Sequence, residues 1–345
     1  MKGDLKPLNA PRTVSVDGVR PALRDLFRKA DARAGTESGQ AVVRACGLTV
    51  IALAEGEEEL TRLLADLGRA TAAVPARTLL VQLDSDVEGG LSAEVAAFCT
   101  LGPGGRQVCH ERIVLRAARD RREDLPPLIA SLPVSDLPVL LYPARPELLQ
   151  SRLVERLLPV ADVVLADSEQ SDDPAGTLGD LLRLRDRRGV VGLDLAFERL
   201  ETWREAVACA WDRAAGPGIR LERVEARFHP RDPGGMLLLG WIESRLLGGR
   251  RPARFQTAFD APAEGGVSRD LRLVFRTDQE RVRTHLRQVG RHVVEVGGDG
   301  EQAADRALPR RIQTDVDVLV RILGDPQDDP IFGEALRAAV DHIPP

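Results

Sequence analysis

Aromatic residues are scarce. They make up 3% of the chain, with three tryptophans and one tyrosine, so the core must be built mainly from Leu, Val and Ala. A nucleic-acid surface that stacks bases on aromatic rings is disfavoured on the same ground. Cysteine is scarce too. Cys46, Cys99, Cys109 and Cys209 are too few and too scattered for a secreted disulfide framework, and no Cys-x-x-Cys pair offers a zinc ribbon or a thioredoxin-type site. No apolar run approaches the ~20 residues that span a bilayer. No apolar signal core follows Met1-Lys2-Gly3-Asp4-Leu5-Lys6, so the cytoplasm is the expected compartment and no membrane partner is expected. The phosphate loop, the glycine-rich dinucleotide fingerprint, the nucleophile elbow and the close histidine pair of a metal site are all missing, which argues against the chemistries they carry.

What remains is an ordinary globular composition, 43% hydrophobic and 29% charged over 345 residues, long enough for about two domains. The formal net charge of −5 gives no electrostatic footprint for nucleic acid. Arginines are many but alternate with acids, as in Arg119-Asp120-Arg121-Arg122-Glu123-Asp124, the pattern of a solvated surface.

Residues 1–17 carry no clear pattern. Arg20–Ala30 reads as a short amphipathic helix, with Leu23, Leu26, Phe27 and Ala30 on one face. Val42–Leu53 reads as one long strand, Glu57–Ala70 as a helix and Thr78–Leu83 as a strand, a β-α-β opening. Ala93–Leu101 and Gln107–Ala117 read as a hairpin around Gly102-Pro103-Gly104-Gly105; symmetry about Gly104 places Cys99 opposite Cys109, and a one-residue slip would undo it. Short apolar strands at Pro138–Leu141, Asp162–Ala166 and Val190–Leu193 then alternate with helices at Glu147–Leu158 and Leu178–Arg187, the mark of a parallel sheet covered on both sides. Thr202 and Glu205 have the spacing of a capping box. Ile219–Phe228 is a strand and Gly235–Leu247 an apolar helix ending at Gly248-Gly249. Strand-like pieces follow at Arg254–Phe259, Leu271–Arg276 and Arg291–Val296. Helices at Thr314–Leu323 and Pro330–Val340 close the chain, the last capped by Asp329. The fold expected is α/β: an N-terminal mixed β-sheet running into parallel α/β units, with a smaller C-terminal α+β domain. The divisions expected are a tail at 1–40, an α/β domain at 41–188, a second at 189–300 and a helical extension at 301–345.

Chemistry-bearing residues yield little. Cys109 and His110 are strand neighbours that point to opposite faces, so they do not form a nucleophile–base pair. His229 reads as a loop residue with no second ligand nearby; His285, His292 and His342 carry no signal. Cys99 and Cys109 read as small buried core residues in preference to a redox-sensitive cross-strand pair. Gly102–Gly105 and Gly297–Gly300 read as turns. Trp203, Trp211 and Trp241 sit on helix faces that favour core packing. No catalytic residue, metal ligand or cofactor site emerges.

Four segments taken in order resemble one family. Leu132-Pro133-Val134-Ser135-Asp136-Leu137-Pro138-Val139-Leu140-Leu141-Tyr142, Asp162-Val163-Val164-Leu165-Ala166-Asp167-Ser168, Asp194–Glu205 and Leu239–Leu246 resemble successive blocks of OpcA-type glucose-6-phosphate dehydrogenase assembly proteins. Val43-Arg44-Ala45 and Cys109-His110-Glu111 also sit where that family has similar residues. Leu141-Tyr142 stand where the family has paired tryptophans, and Phe197 where it has another. The resemblance implies a non-enzymatic role in which glucose-6-phosphate dehydrogenase, the NADP-dependent entry enzyme of the oxidative pentose phosphate pathway, is the partner and NADP belongs to that partner. It draws attention to Cys99 and Cys109 as a candidate redox pair, since redox control is linked to some members. Candidate contacts on that reading are Tyr142, Arg145, Arg199, Trp203, Arg204, Trp241 and Arg245, because Trp and Arg dominate interface hot spots. The alternative is a sugar-phosphate-binding enzyme or sensor with Asp167, Ser168 and Asp194 at the carboxyl ends of the parallel strands.

Overall fold

A computed structural model describes residues 6–7, 10–37, 42–87, 90–101, 107–187, 189–214, 216–247, 254–259, 269–278, 281–289, 293–298, 306–309 and 314–341. The chain divides into two compact units. The first holds residues 1–167, 184–193 and 315–328; the second holds 168–183, 194–314 and 329–345.

The first unit is organised on strands β4 (Thr49–Ala54), β5 (Arg77–Gln82), β7 (Gln107–Ala117), β8 (Val139–Pro143), β9 (Val163–Ala166) and β10 (Val191–Asp194). Their spatial order is β7-β5-β4-β8-β9-β10, and β4 pairs in parallel with both β5 and β8. Every residue of β4, β8 and β9 is buried, as parallel strands covered on both faces must be. Counting β4 as first, this is the doubly wound 3-2-1-4-5-6 order of a Rossmann-type sheet. One connection departs from it. The crossover between β5 and β7 is strand β6 (Leu91–Leu101), which lies antiparallel outside β7. Onto β6 are added the short strands β1 (Lys6–Pro7) and β2 (Arg12–Val14), so the patternless N-terminal stretch is edge strand.

Helix α1 (Val19–Glu37) is longer than its apolar stripe suggested, and α2 (Glu57–Ala73) follows β4. The stretch expected as a single strand from Val42 breaks into β3 (Val42–Arg44) and β4. β3 pairs with β7, whereas β4 lies between β5 and β8, and Gly47 N–H donates to Pro75 O at the step between them. After α3 (Leu125–Ala130), the helix expected at 147–158 is a 3-10 turn over 146–150 and then α4 (Arg152–Leu157). Ser151 makes that restart, its Oγ accepting from Val154 N–H at 3.2 Å.

The second unit carries α6 (Leu195–Glu198), α7 (Glu201–Arg213) and α8 (Pro233–Leu246), with a six-stranded sheet in the order β12-β11-β13-β14-β15-β16. These strands are β11 (Arg220–Phe228), β12 (Arg254–Phe259), β13 (Asp270–Arg276), β14 (Arg281–Val289), β15 (Val293–Gly298) and β16 (Arg306–Pro309). Neighbouring strands pair antiparallel except β11 with β12, which are parallel, so the expected α+β character holds. β14 had no apolar alternation strong enough to be read from sequence. Thr202 does not cap α7; the helix begins at Glu201 and Thr202 is buried inside it. The C-terminal segment is no separate extension. Helix α9 (Asp315–Gly324) packs on α2 in the first unit and α10 (Pro330–Val340) packs on α8 in the second. Asp329 caps α10 as expected, accepting from Ile331 N–H at 2.8 Å. Helix α5 (Pro174–Arg185) leads to β10. Gly248-Gly249, the turn at 102–105, His292 and His342 lie outside the described residues.

Candidate functional site

A doubly wound sheet binds ligands at the carboxyl ends of its strands, next to the first strand. Here that place belongs to the turn from β4 into α2: Ala54-Glu55-Gly56-Glu57-Glu58-Glu59. Gly56 has φ +137°, a conformation that favours glycine. It is the turn's only glycine, where a dinucleotide site needs three. Glu57, Glu58 and Glu59 fill the first turn of α2 and complement the helix dipole themselves. Glu59 Oε2 accepts from Glu55 N–H at 2.7 Å. The bordering cations are engaged as well: Arg122 reaches Asp84 at 2.8 Å and Glu55 at 3.3 Å, and Arg145 lies 3.8 Å from Glu59. A pyrophosphate brought here would meet carboxylates in place of bare N–H groups, the reverse of an anion site.

The residues that would line a sugar-phosphate cleft are withdrawn from solvent. Asp167, Ser168 and Asp194 are each at most 3% exposed. Asp194 is a helix cap, its Oδ1 accepting from Ser168 N–H at 3.1 Å and Ala196 N–H at 2.9 Å.

The family-like blocks divide into interior and surface. Tyr142 is buried on β8, and Trp203 is fully buried in α7, where its Nε1 has no hydrogen-bond partner among the described residues. Both are framework residues of their units. Arg199 is mostly buried and holds Glu169 at 3.1 Å. Arg204 lies over the Phe197 ring at 4.4 Å. Trp241 is half-buried on α8, Arg145 and Arg245 are exposed over nearly half of their side chains, and Arg245 lies 3.6 Å from Glu334.

Two buried polar clusters escaped the sequence reading. In the second unit Arg269 forms a two-point ion pair with Asp232, at 2.5 and 2.6 Å, and reaches Glu169 at 3.4 Å. Burial alone would lower the Arg269 pKa; Asp232 and then Glu169 more than offset it, and the pKa is raised. Asp232 immediately precedes Pro233 and α8, and nothing local announces its partner 37 residues away. In the first unit His110 is buried under α2, with Nε2 3.2 Å from Thr71 Oγ1. Thr71 spends its own proton on Leu67 O at 2.7 Å, so His110 Nε2 is the donor. A cavity of about 30 Å³ adjoins it, lined by Thr71, Phe98 and Arg112 among others, with room for water but not for a metabolite.

Burial, and after it the Arg112 charge, lowers the His110 pKa to about 4 from 6.5. The unfolded chain therefore takes up a proton before the folded one does. Stability is complete above pH 6.5 and falls as pH drops toward 4, by roughly 2–3 kcal/mol. Urea unfolding at neutral and mildly acidic pH should show that loss, and His110→Gln should flatten it.

Cys99 and Cys109 are directly opposite, as the hairpin symmetry required. They are joined as a disulfide, in contrast to the free-thiol core pair favoured from sequence. Cys99 also faces Lys6 of β1, and Cys109 faces Arg44 of β3, so the bond lies where two short strands dock. Closing a loop of this sequence separation, 10 residues, stabilises by about 2–3 kcal/mol. A dithiol reductant should lower the unfolding midpoint accordingly and have no effect on the Cys99→Ala/Cys109→Ala variant.

Among the described residues no group of three His, Cys, Asp or Glu could hold a metal ion, and no helix is long and apolar enough to cross a membrane. Fold and site together define a chain with a Rossmann-type sheet order whose first strand-to-helix turn is acidic, followed by a unit with a mainly antiparallel sheet. Residues 68–183 match the family model described as glucose-6-phosphate dehydrogenase subunit N-terminal domain, and residues 192–336 match the corresponding C-terminal domain. The chain belongs to the OpcA family of glucose-6-phosphate dehydrogenase assembly proteins. It is 28% identical over 179 residues to the OxPP cycle protein OpcA of Synechocystis, a match covering 50% of this chain and 37% of that one, so the chain spans little more than a third of this relative. Similar solved structures include an oxidoreductase from Sinorhizobium meliloti (11% identity, 88% of this chain and 97% of that one, TM-score 0.49). Another is an NAD-binding oxidoreductase from Klebsiella pneumoniae (13% identity, 86% and 94%, TM-score 0.44).

Proposed function

We propose that this chain is a non-catalytic assembly and activator protein of the cytoplasm, which binds glucose-6-phosphate dehydrogenase and favours its active oligomer in the oxidative pentose phosphate pathway. The observation that carries this reading is the acidic turn at Glu55–Glu59, set where a Rossmann-type enzyme would cradle its cofactor. NADP then belongs to the partner, and this chain takes no cofactor. The physical form of the action is simple. A ligand that binds one oligomeric state more tightly than the others shifts the population toward it, by no more than the difference in affinity. Arg145, Arg204, Trp241 and Arg245 are the candidate contacts that retain exposed surface. Cys99 and Cys109 are the candidate redox pair of this reading.

The test is dehydrogenase kinetics with and without the chain, run alongside co-purification of the two proteins. Co-purification with raised kcat or lowered KM is expected. No binding and no kinetic change would contradict the proposal. Repeating the assay with a dithiol reductant tests the redox role, which requires the activation to change.

A further inference from the structure

The two faces of the second unit's sheet differ sharply. On the inner face Leu221, Val224, Ala226, Leu271, Leu273 and Phe275 are buried, and Trp211 of α7 meets Phe275 edge-on at 5.7 Å. On the outer face the register assembles arginines from three strands. Arg220, Arg276 and Arg281 are direct cross-strand neighbours in one row. Arg223 and Arg283 flank Val274 in the next, Arg272 stands beside His285, and Arg227 and Arg287 flank Asp270. Among the described side chains of β11, β13 and β14 this face carries those eight arginines against three carboxylates, Glu222, Glu225 and Asp270, a formal surplus of five positive charges. The whole chain is at −5, so the remainder is strongly acidic and the positive charge is gathered here.

Like charges directly opposite each other weaken a sheet. Three arginines in one cross-strand row are therefore a cost to the fold. Glu222 holds Arg281 at 2.8 Å, Glu225 holds Arg223 at 2.9 Å, and Asp270 lies 2.8 Å from His285. Asp270 also lies 4.0 Å from Arg272, and Glu295 of β15 stands opposite Arg287 in the register; the eight arginines still outnumber these four carboxylates. These ion pairs also fix part of the face in a set pattern of sign, which suits a folded partner of complementary pattern. No aromatic side chain of these strands stands on this face, so it offers no base-stacking platform.

We infer that the outer face of this sheet is a docking surface for an acidic protein surface, and that the acidic partner is the dehydrogenase. The inference rests on the dehydrogenase-binding reading above. Arg272 and Arg276 on β13 are the residues to change, since both are exposed and neither lies in the interior clusters. Arg276→Glu has a further use. It places a carboxylate between Arg220 and Arg281, so it should leave the melting temperature unchanged or raise it while opposing docking.

The experiment measures affinity of the full chain for its dehydrogenase, for wild type and for Arg272→Glu/Arg276→Glu, from low salt to about 0.5 M. Wild-type affinity should fall steeply with salt. The variant should bind roughly a hundredfold more weakly at low salt, at about tenfold per reversed charge. Arg276→Glu alone should bind about tenfold more weakly with no loss of melting temperature, which separates docking from the like-charge cost of Arg272→Glu opposite Glu225. A variant that binds as tightly as wild type overturns the docking face and leaves the dehydrogenase reading standing. A wild type that does not bind the dehydrogenase overturns that reading, and this inference with it. A mixed-sequence duplex oligonucleotide, bound more tightly than the dehydrogenase by wild type and lost in the variant, would assign the face to nucleic acid and overturn it as well.

Discussion

Asp232→Ala should destabilise the second unit by about 3–5 kcal/mol, the usual cost of stripping one partner from a buried ion pair. The side chains of Arg269 and Asp232 are 7% and 1% exposed, and both guanidinium contacts to Asp232 are short. Removing the carboxylate leaves a cation that neither water nor Glu169, at 3.4 Å, can fully compensate. Nor can the group escape by losing its proton, as a lysine would. The paired replacement Asp232→Leu/Arg269→Met should recover most of the loss, because apolar groups of similar volume carry no desolvation debt. All three tryptophans, Trp203, Trp211 and Trp241, lie in the second unit, so urea unfolding followed by tryptophan fluorescence reads this unit alone. A shift of less than about 1 kcal/mol, the size of an ordinary surface change, would mean that the pair is not what holds the segment before α8 to the start of β13.

Gly240→Ala should destabilise where the same change at Gly68 stabilises. In an open helix position alanine is favoured over glycine by about 1 kcal/mol. Gly68 of α2 has that freedom: nothing lies within 4 Å of where its Cβ would stand. Gly240 of α8 does not. A Cβ there would run into Ala335 O and come within 2.7 Å of Ala339 N and 3.0 Å of Ala339 Cβ, all on α10. The opposing atoms are mostly backbone, so α10 must move as a body. Overpacking of this kind costs about 1–3 kcal/mol, enough to reverse the propensity gain, and Gly240→Val should cost more. Fluorescence-monitored urea unfolding of Gly240→Ala and circular dichroism of Gly68→Ala check the two signs. The contact also explains why glycine stands beside Trp241 in a block that resembled the family: it sets how closely α8 and α10 approach.

Local signals in the sequence held for several elements, though the capping box at Thr202 did not. The hairpin register followed from symmetry about a turn, and α10 followed from Asp329, Pro330 and an apolar stripe. The parallel strands showed because burial on both faces leaves short runs with no polar residue. Long-range partners were illegible. Arg269 and Glu169 are 100 residues apart, and Arg77 with Glu111, an ion pair at 2.7 Å, reads on each strand as an isolated charge. β14 was unread because Arg281-Val282-Arg283-Thr284-His285-Leu286-Arg287 has too little apolar content to announce a strand until β13 and β15 flank it. The candidate site was half visible. Glu55–Glu59 is plainly acidic in sequence, but its meaning depends on β4 being the central strand of the sheet. Trp203 was a candidate contact only through the resemblance; its helix face favoured core packing, and it is fully buried.

Sedimentation velocity of the dehydrogenase, alone and with this chain, puts the main claim to its most direct test. A larger, active species that carries the chain and grows at the expense of the smaller dehydrogenase forms is the predicted result. An unchanged distribution, with the chain sedimenting by itself at every ratio, would contradict it.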